Sequence, residues 1–292
     1  MSCPDCFRGS AHTNQGEPSG QVLPVHDIQC YVASPPSTTT SRSTIIFLPD
    51  AFGHGFLNNQ ILADKYASET GFRVLIPDVI RGGACDPKAL LYMDAVSEPV
   101  AWWDIVGQLK RVLTVFKLVS IFIPFLIRAS PYKTYPKILN FTRSVKAELP
   151  SGAKLGVCGF CWGGLPSTML CAEPATPGSN ERLVDAHFTG HPSRLDAPKQ
   201  VIEAVEKFKV PYSLAIGETD IAMPRKQVER TEAELRTKVG RGEGENGFFY
   251  EIVNYPGCGH GFAVRAKAGD KVAEKGAEEA YEQAVTWFKR WL

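Results

Sequence analysis

The chain has 292 residues, 44% hydrophobic and 22% charged, a balance typical of globular proteins and sufficient for a large buried core. Thirty-two basic and 31 acidic residues leave a formal charge of +1, which excludes nucleic-acid binding driven by overall charge. No basic run followed by an apolar segment opens the sequence, so no secretory signal and a cytoplasmic address are expected, and the eight cysteines, too few for a disulfide scaffold, are expected as thiols.

Residues 1–20 are rich in Ser, Gly, Pro and Asn and read as a loosely ordered arm, with a single domain over 21–292. Short strands are predicted at 29–33 and 44–48, parted by the turn-forming run 34–37. The second, TIIFL, is apolar enough for burial on both faces. A helix over 58–70 is closed by Gly71, and a final helix over 276–292 repeats Tyr281, Val285, Phe288 and Leu292 at three- or four-residue steps. Strand-like runs recur at 72–77, 154–159, 183–188, 211–216 and 248–253. This alternation predicts an α/β fold with a mostly parallel sheet flanked by helices. No internal repeat or composition shift marks a second domain.

An apolar helical insertion is expected near residues 98–130, centred on VLTVFKLVSIFIPFLI at 112–127. Lys117 and Pro124 interrupt it, and it is too short for a membrane span. It is expected as a buried or cap helix over the site, with a membrane-surface helix as the alternative. Trp102, Trp103, Phe122 and Phe125 then become candidate pocket-lining residues.

The chemistry centres on KLGVCG followed by Phe160, Cys161, Trp162, Gly163 and Gly164, a Gly-x-Cys-x-Gly pattern between a strand and a helix-compatible run. Such an elbow needs small residues at Gly159 and Gly163 because the turn is sharp, and it projects Cys161 at a helix N-terminus that favours a thiolate. Asp220, in GETD after one strand, and His260, in PGCGHGF after another, would lie at the same sheet edge. The order nucleophile, acid, histidine is that of α/β-hydrolases. His260 is expected to take or hold the thiol proton and Asp220 to fix its tautomer. Taken singly, Cys161 also reads as a core cysteine, Asp220 as a helix cap for the segment starting near Pro224 and His260 as a loop histidine.

Cys3 with Cys6 and Cys158 with Cys161 are two CxxC pairs, but their separation argues against a shared zinc site. No metal is expected. Nor is an organic cofactor, since neither a phosphate-binding loop nor a dinucleotide fingerprint is present.

With GFCWGG, GETD, PGCGHGF, LPDAFG at 48–53 and the CPDCF arm, the chain resembles the dienelactone hydrolase family in its fungal branch. The resemblance implies an α/β-hydrolase core and a Cys-His-Asp triad that opens an ester or lactone of a small molecule through a thioester, with a role in fungal secondary metabolism. By position in that fold, the backbone N–H groups of Ala51 and Trp162 are the oxyanion-hole candidates. Asp50 stands where bacterial family members carry a thiol-modulating glutamate. Arg81 and Arg265 resemble family arginines that bind a substrate carboxylate, and His191 is a further candidate substrate contact. The same pocket would also suit an isomerase, dehydratase, cyclase or ligand-binding protein.

Overall fold

The computed structural model of the chain describes residues 17–36 and 41–292. The Cys3/Cys6 arm therefore lies outside the described residues. The strands are β1 (Gln21–Val25), β2 (Ile28–Ala33), β3 (Thr44–Leu48), β4 (Arg73–Pro77), β5 (Leu155–Phe160), β6 (Ala186–Gly190), β7 (Tyr212–Gly217) and β8 (Tyr250–Tyr255). The helices of the first half are α1 (Leu57–Thr70), α2 (Lys88–Ser97), α3 (Ile105–Arg128) and α4 (Pro131–Glu148). Those of the second half are α5 (Gly164–Leu170), α6 (Lys199–Glu206), α7 (Arg225–Val239), α8 (Phe262–Arg265) and α9 (Lys271–Trp291).

The strands form one sheet in the order β1-β2-β4-β3-β5-β6-β7-β8, antiparallel at the first two pairings and parallel from β4 onward. Every residue of β3, β5, β6 and β7 is buried, as expected for parallel strands covered on both faces. Helices α1, α8 and α9 pack as one layer, and α4, α5, α6 and α7 form the other. This is the α/β-hydrolase arrangement, and it brings the carboxyl ends of β3, β5, β7 and β8 to one edge.

Strand β1 was not expected, because most of its residues are exposed and Pro24 breaks the apolar alternation. His26 and Asp27 instead make its hairpin turn in the left-handed region, φ 46° and 60°, without the glycine that usually signals one. Strand β6 lies three residues later than the predicted 183–188 start. Asp185 accepts from the backbone N of Leu155 and from Lys146 Nζ, both at 2.8 Å, and the ladder with β5 then continues to Gly190 opposite Phe160. Helix α9 begins five residues before the predicted one because Asp270 caps it, accepting from the N–H groups of Val272 and Ala273. Gly276 is then internal to the helix, where a Cβ would collide with the Cys258 thiol.

The 112–127 segment is helical but does not pack as expected. Phe125 is the one residue of α3 that is fully buried, with Leu118, Ile121 and Phe122 half-buried against the core. Its remaining apolar side chains face solvent, because the segment is apolar on two faces and the domain has room for one. Phe125→Ala is expected to cost about 3–5 kcal/mol of stability through lost burial and a cavity. Phe116→Ala, on the outer face, should change stability by less than about 0.5 kcal/mol. Urea unfolding of the two variants checks the contrast.

Candidate active site

Strand β5 ends at Phe160, and Cys161 turns the chain with φ 48°, a left-handed conformation that costs a non-glycine residue about 1–3 kcal/mol. Two glycines make the turn possible. A Cβ on Gly159 would run into Ser167 and the Gly163 carbonyl, and one on Gly163 into the backbone of Leu48. The elbow is therefore pressed against the end of β3, consistent with the pairing of Leu48 with Gly159. Residues Cys161–Gly163 form a short 3-10 turn that leads into α5, and the Cys161 carbonyl accepts from the Ser193 N–H at 2.9 Å.

The loops after β7 and β8 deliver the partners. They are tied together by Thr219 N–H donating to the Cys258 carbonyl at 3.0 Å and Glu218 N–H to that of Tyr255 at 3.0 Å. His260 Nε2 lies 3.1 Å from Cys161 Sγ, and Nδ1 lies 3.0 Å from both carboxylate oxygens of Asp220. Asp220 Oδ1 also accepts from the N–H groups of Ala222 at 2.7 Å and Met223 at 3.2 Å. The helix-cap alternative for Asp220 does not form: α7 starts after Pro224 with no side-chain cap, and the carboxylate instead accepts from loop N–H groups while facing His260.

Burial opposes charge on Cys161 and His260 alike, but their mutual attraction outweighs it. The imidazolium beside Cys161 holds its thiol below the usual range, and the thiolate together with the Asp220 hydrogen bond pushes the His260 imidazole up to about 10. The other described cysteines differ in kind: burial raises the thiols of Cys30, Cys85, Cys158, Cys171 and Cys258.

Asp50 is buried behind this pair. Its Oδ2 accepts from Arg265 Nε at 3.1 Å, and its Oδ1 from the Phe52 N–H at 3.1 Å and Asn59 Nδ2 at 3.0 Å. Its carboxylate charge raises the Cys161 thiol and the Arg265 charge lowers it, so the two act on that thiol in opposite directions. Arg265, expected to be open to a substrate carboxylate, is instead only 5% exposed, paired with Asp50 and stacked over Phe52 with its guanidinium carbon 5.3 Å from the ring centroid. A buried carboxylate within reach of the thiol needs a cation, and Arg265 supplies it.

The other candidates fall unevenly. Ala51 follows Asp50 at the end of β3 and Trp162 follows Cys161, so both oxyanion-hole candidates border the elbow. The Trp162 indole N–H donates to the Ala129 carbonyl at 2.6 Å, fastening the end of α3 beside the nucleophile. His191 is fully buried, with its ring edge-on to His260 at 5.1 Å between centroids, and burial holds it neutral, which leaves no surface for a substrate contact. Arg81 is exposed in the loop after β4. Arg128, which drew no attention in the sequence, packs against Gly82 in that loop and donates to the Ala84 carbonyl at 3.1 Å. Trp102 and Trp103 stack edge-on against each other and are 83% and 69% exposed, so neither lines a pocket. Asn59, on α1, and Ser193, in the loop after β6, join the site only through tertiary contacts with Asp50 and with the Cys161 carbonyl, and no local motif signals them. Among the described residues no group of three or more His, Cys, Asp or Glu side chains could hold a metal ion.

Arg265→Ala is expected to leave Asp50 buried and unpaired, lowering stability by about 3–5 kcal/mol. Combined with Asp50→Asn, the loss should be smaller than the sum of the two single losses, because the partners share one interaction. Denaturant unfolding of the four-membered cycle measures it.

The sequence profile of the dienelactone hydrolase family matches residues 28–292. Over 292 residues the chain is 28% identical to the hydrolase tropI of Talaromyces stipitatus, covering 100% of this chain and 96% of that protein. It is 23% identical to dienlactone hydrolase 1 of Gibberella moniliformis, covering 98% and 93% of the two chains. In fold it is similar to a candidate dienelactone hydrolase from Klebsiella pneumoniae, with a TM-score of 0.59 at 18% identity over 94% of this chain and 98% of that one. By the match of nearly the whole chain to the family profile, the protein belongs to the dienelactone hydrolase family of ester and lactone hydrolases.

Proposed function

We propose that the protein opens a lactone or ester bond through a Cys161 thioester. The observation that carries this reading is the continuous hydrogen-bond line from Asp220 through His260 to Cys161 Sγ, at 3.0 and 3.1 Å, on a strained elbow. The thiolate Sγ attacks the acyl carbon, and the carbonyl oxygen becomes an oxyanion facing the N–H groups of Ala51 and Trp162. The oxyanion collapses, His260 Nε2–H protonates the departing alkoxide or enolate oxygen, and a thioester remains. His260 then takes a proton from water, the resulting hydroxide attacks the thioester, and the carboxylic acid leaves as Cys161 regains its thiolate. Asp220 keeps Nδ1 protonated and stabilises the imidazolium in both half-reactions.

The dienlactone hydrolase names of two Gibberella relatives support a lactone as substrate class. The Arg81 side chain, exposed at the same loop edge, is the proposed docking cation for a substrate carboxylate, since Arg265 is already paired.

Cys161→Ala should lower kcat/KM for enol-lactones and aryl esters by at least roughly 10³-fold, and Asp220→Asn by on the order of 10²–10⁴-fold. Undiminished hydrolysis by the alanine variant would remove Cys161 from the reaction. Activity should also follow the charged pair. On the acid side it rises as Cys161 ionises, below the usual thiol value; on the alkaline side it falls as His260 loses its proton near pH 10. His260→Gln should return thiolate formation to at least the ordinary thiol range, near 9.0, read by the pH dependence of iodoacetamide alkylation at Cys161.

A further inference from the structure

We infer that the outer face of α3 docks flat on an anionic lipid surface. Ile105, Leu109, Val112, Phe116, Val119 and Ile123 recur at three- and four-residue steps, so they stand on one side of the helix, and all six are exposed. The half-buried Leu118, Ile121 and Phe122 and the buried Phe125 occupy the opposite side, against the domain. The face directed to solvent is thus as apolar as the face directed to the core, and over 24 residues it runs about 36 Å, far beyond the apolar patches ordinary for a monomer.

Charge identifies what covers it. Between Asp104 and Glu148 the chain has no acidic residue, while it holds Lys110, Arg111, Lys117, Arg128, Lys133, Lys137, Arg143 and Lys146. Lys110 and Lys117, seven residues apart and both exposed, flank the apolar face along one border, where long cationic side chains reach headgroups while their stems follow apolar surface. Trp102 and Trp103, almost wholly in solvent, sit at the N-terminal end of the same helix, and indoles favour the headgroup level of a bilayer. A second copy meeting this face about a two-fold axis would set these lysines against each other with no acid within the segment to neutralise them; anionic headgroups supply the missing charge. No single helix among the described residues is long and apolar enough to cross a membrane, and α4, which follows, is buried in the domain through Ile138, Phe141 and Val145. The helix therefore lies on the surface rather than spanning it. Because Ala129 at its end is bonded to Trp162, docking sets the nucleophile elbow close to the lipid, where an apolar substrate would concentrate.

The test is flotation of the full chain with vesicles of phosphatidylcholine alone and of phosphatidylcholine with phosphatidylserine, at low and high salt. Binding is expected to the anionic vesicles, to weaken with salt, and to fall about fivefold for each of Lys110→Glu and Lys117→Glu. Phe116→Asp should reduce it at least roughly tenfold while hydrolysis of a water-soluble ester and the melting temperature stay as in the parent, since the side chain touches neither core nor triad. The lysine variants, on exposed positions, carry the test even if the aspartate variant fails to fold. Absence of binding to either vesicle, or binding that ignores headgroup charge and all three substitutions, overturns the inference. So does a dimer in light scattering that Phe116→Asp dissociates without any vesicle binding, which would assign the face to a second copy.

Discussion

A cysteine held at φ 48° with its sulfur 3.1 Å from an imidazole is the constraint around which the rest of the domain is arranged. The conformation is unfavourable for any residue with a Cβ, so it persists only because the surrounding backbone leaves no alternative. Gly159 and Gly163 let the elbow close, β3 abuts it from one side, and the Ser193 amide holds the Cys161 carbonyl from the other. Six consecutive parallel strands then bring the loops after β5, β7 and β8 to a common edge, so an acid and a histidine 40 residues apart meet at hydrogen-bond distance. The fold's stability and its chemistry are coupled here, since the buried sheet supplies the rigidity that the strained turn requires.

Electrostatics at this edge are built from two buried pairs rather than one. Cys161 and His260 shift each other's ionisation against the cost of burial, and the Asp220 hydrogen bond acts on His260 in the same direction. Behind them Asp50 and Arg265 neutralise each other while acting in opposite senses on the thiol. A net charge left unpaired at this depth would shift the thiol's ionisation strongly, so the near balance of the second pair leaves the first largely unperturbed. The same balance ties the loop after β3 to α8, immediately after the histidine loop, linking the surroundings of Cys161 and His260 through a second route.

Helix α3 stands apart from this economy of burial. Its inner face reaches the domain through Phe125, and its end is bonded to Trp162, yet its outer face remains as apolar as a core strand. The domain has room for one of the helix's two apolar faces, and an exposed apolar face of this length is the kind of surface that meets something outside the chain.

What depends on local pattern is legible from the residues alone: the alternation that demands a parallel α/β sheet, the glycine-flanked elbow at Cys161, and the strand-end positions of Asp220 and His260, each carried by a short motif whose chemistry is readable in place. The edge strand β1 was not legible, since exposure removes the periodicity and a His26–Asp27 turn lacks the usual glycine signal. Which partner each charged or apolar residue takes emerges only from the packing of distant segments. Arg265 found Asp50, 215 residues away, in place of solvent. His191 was buried edge-on to His260. Trp102, Trp103 and most of the 112–127 segment were turned outward rather than over a pocket. Pairing and facing are set by the three-dimensional meeting of distant loops, and an apolar helix with two apolar faces does not state in its own sequence which one the domain will bury.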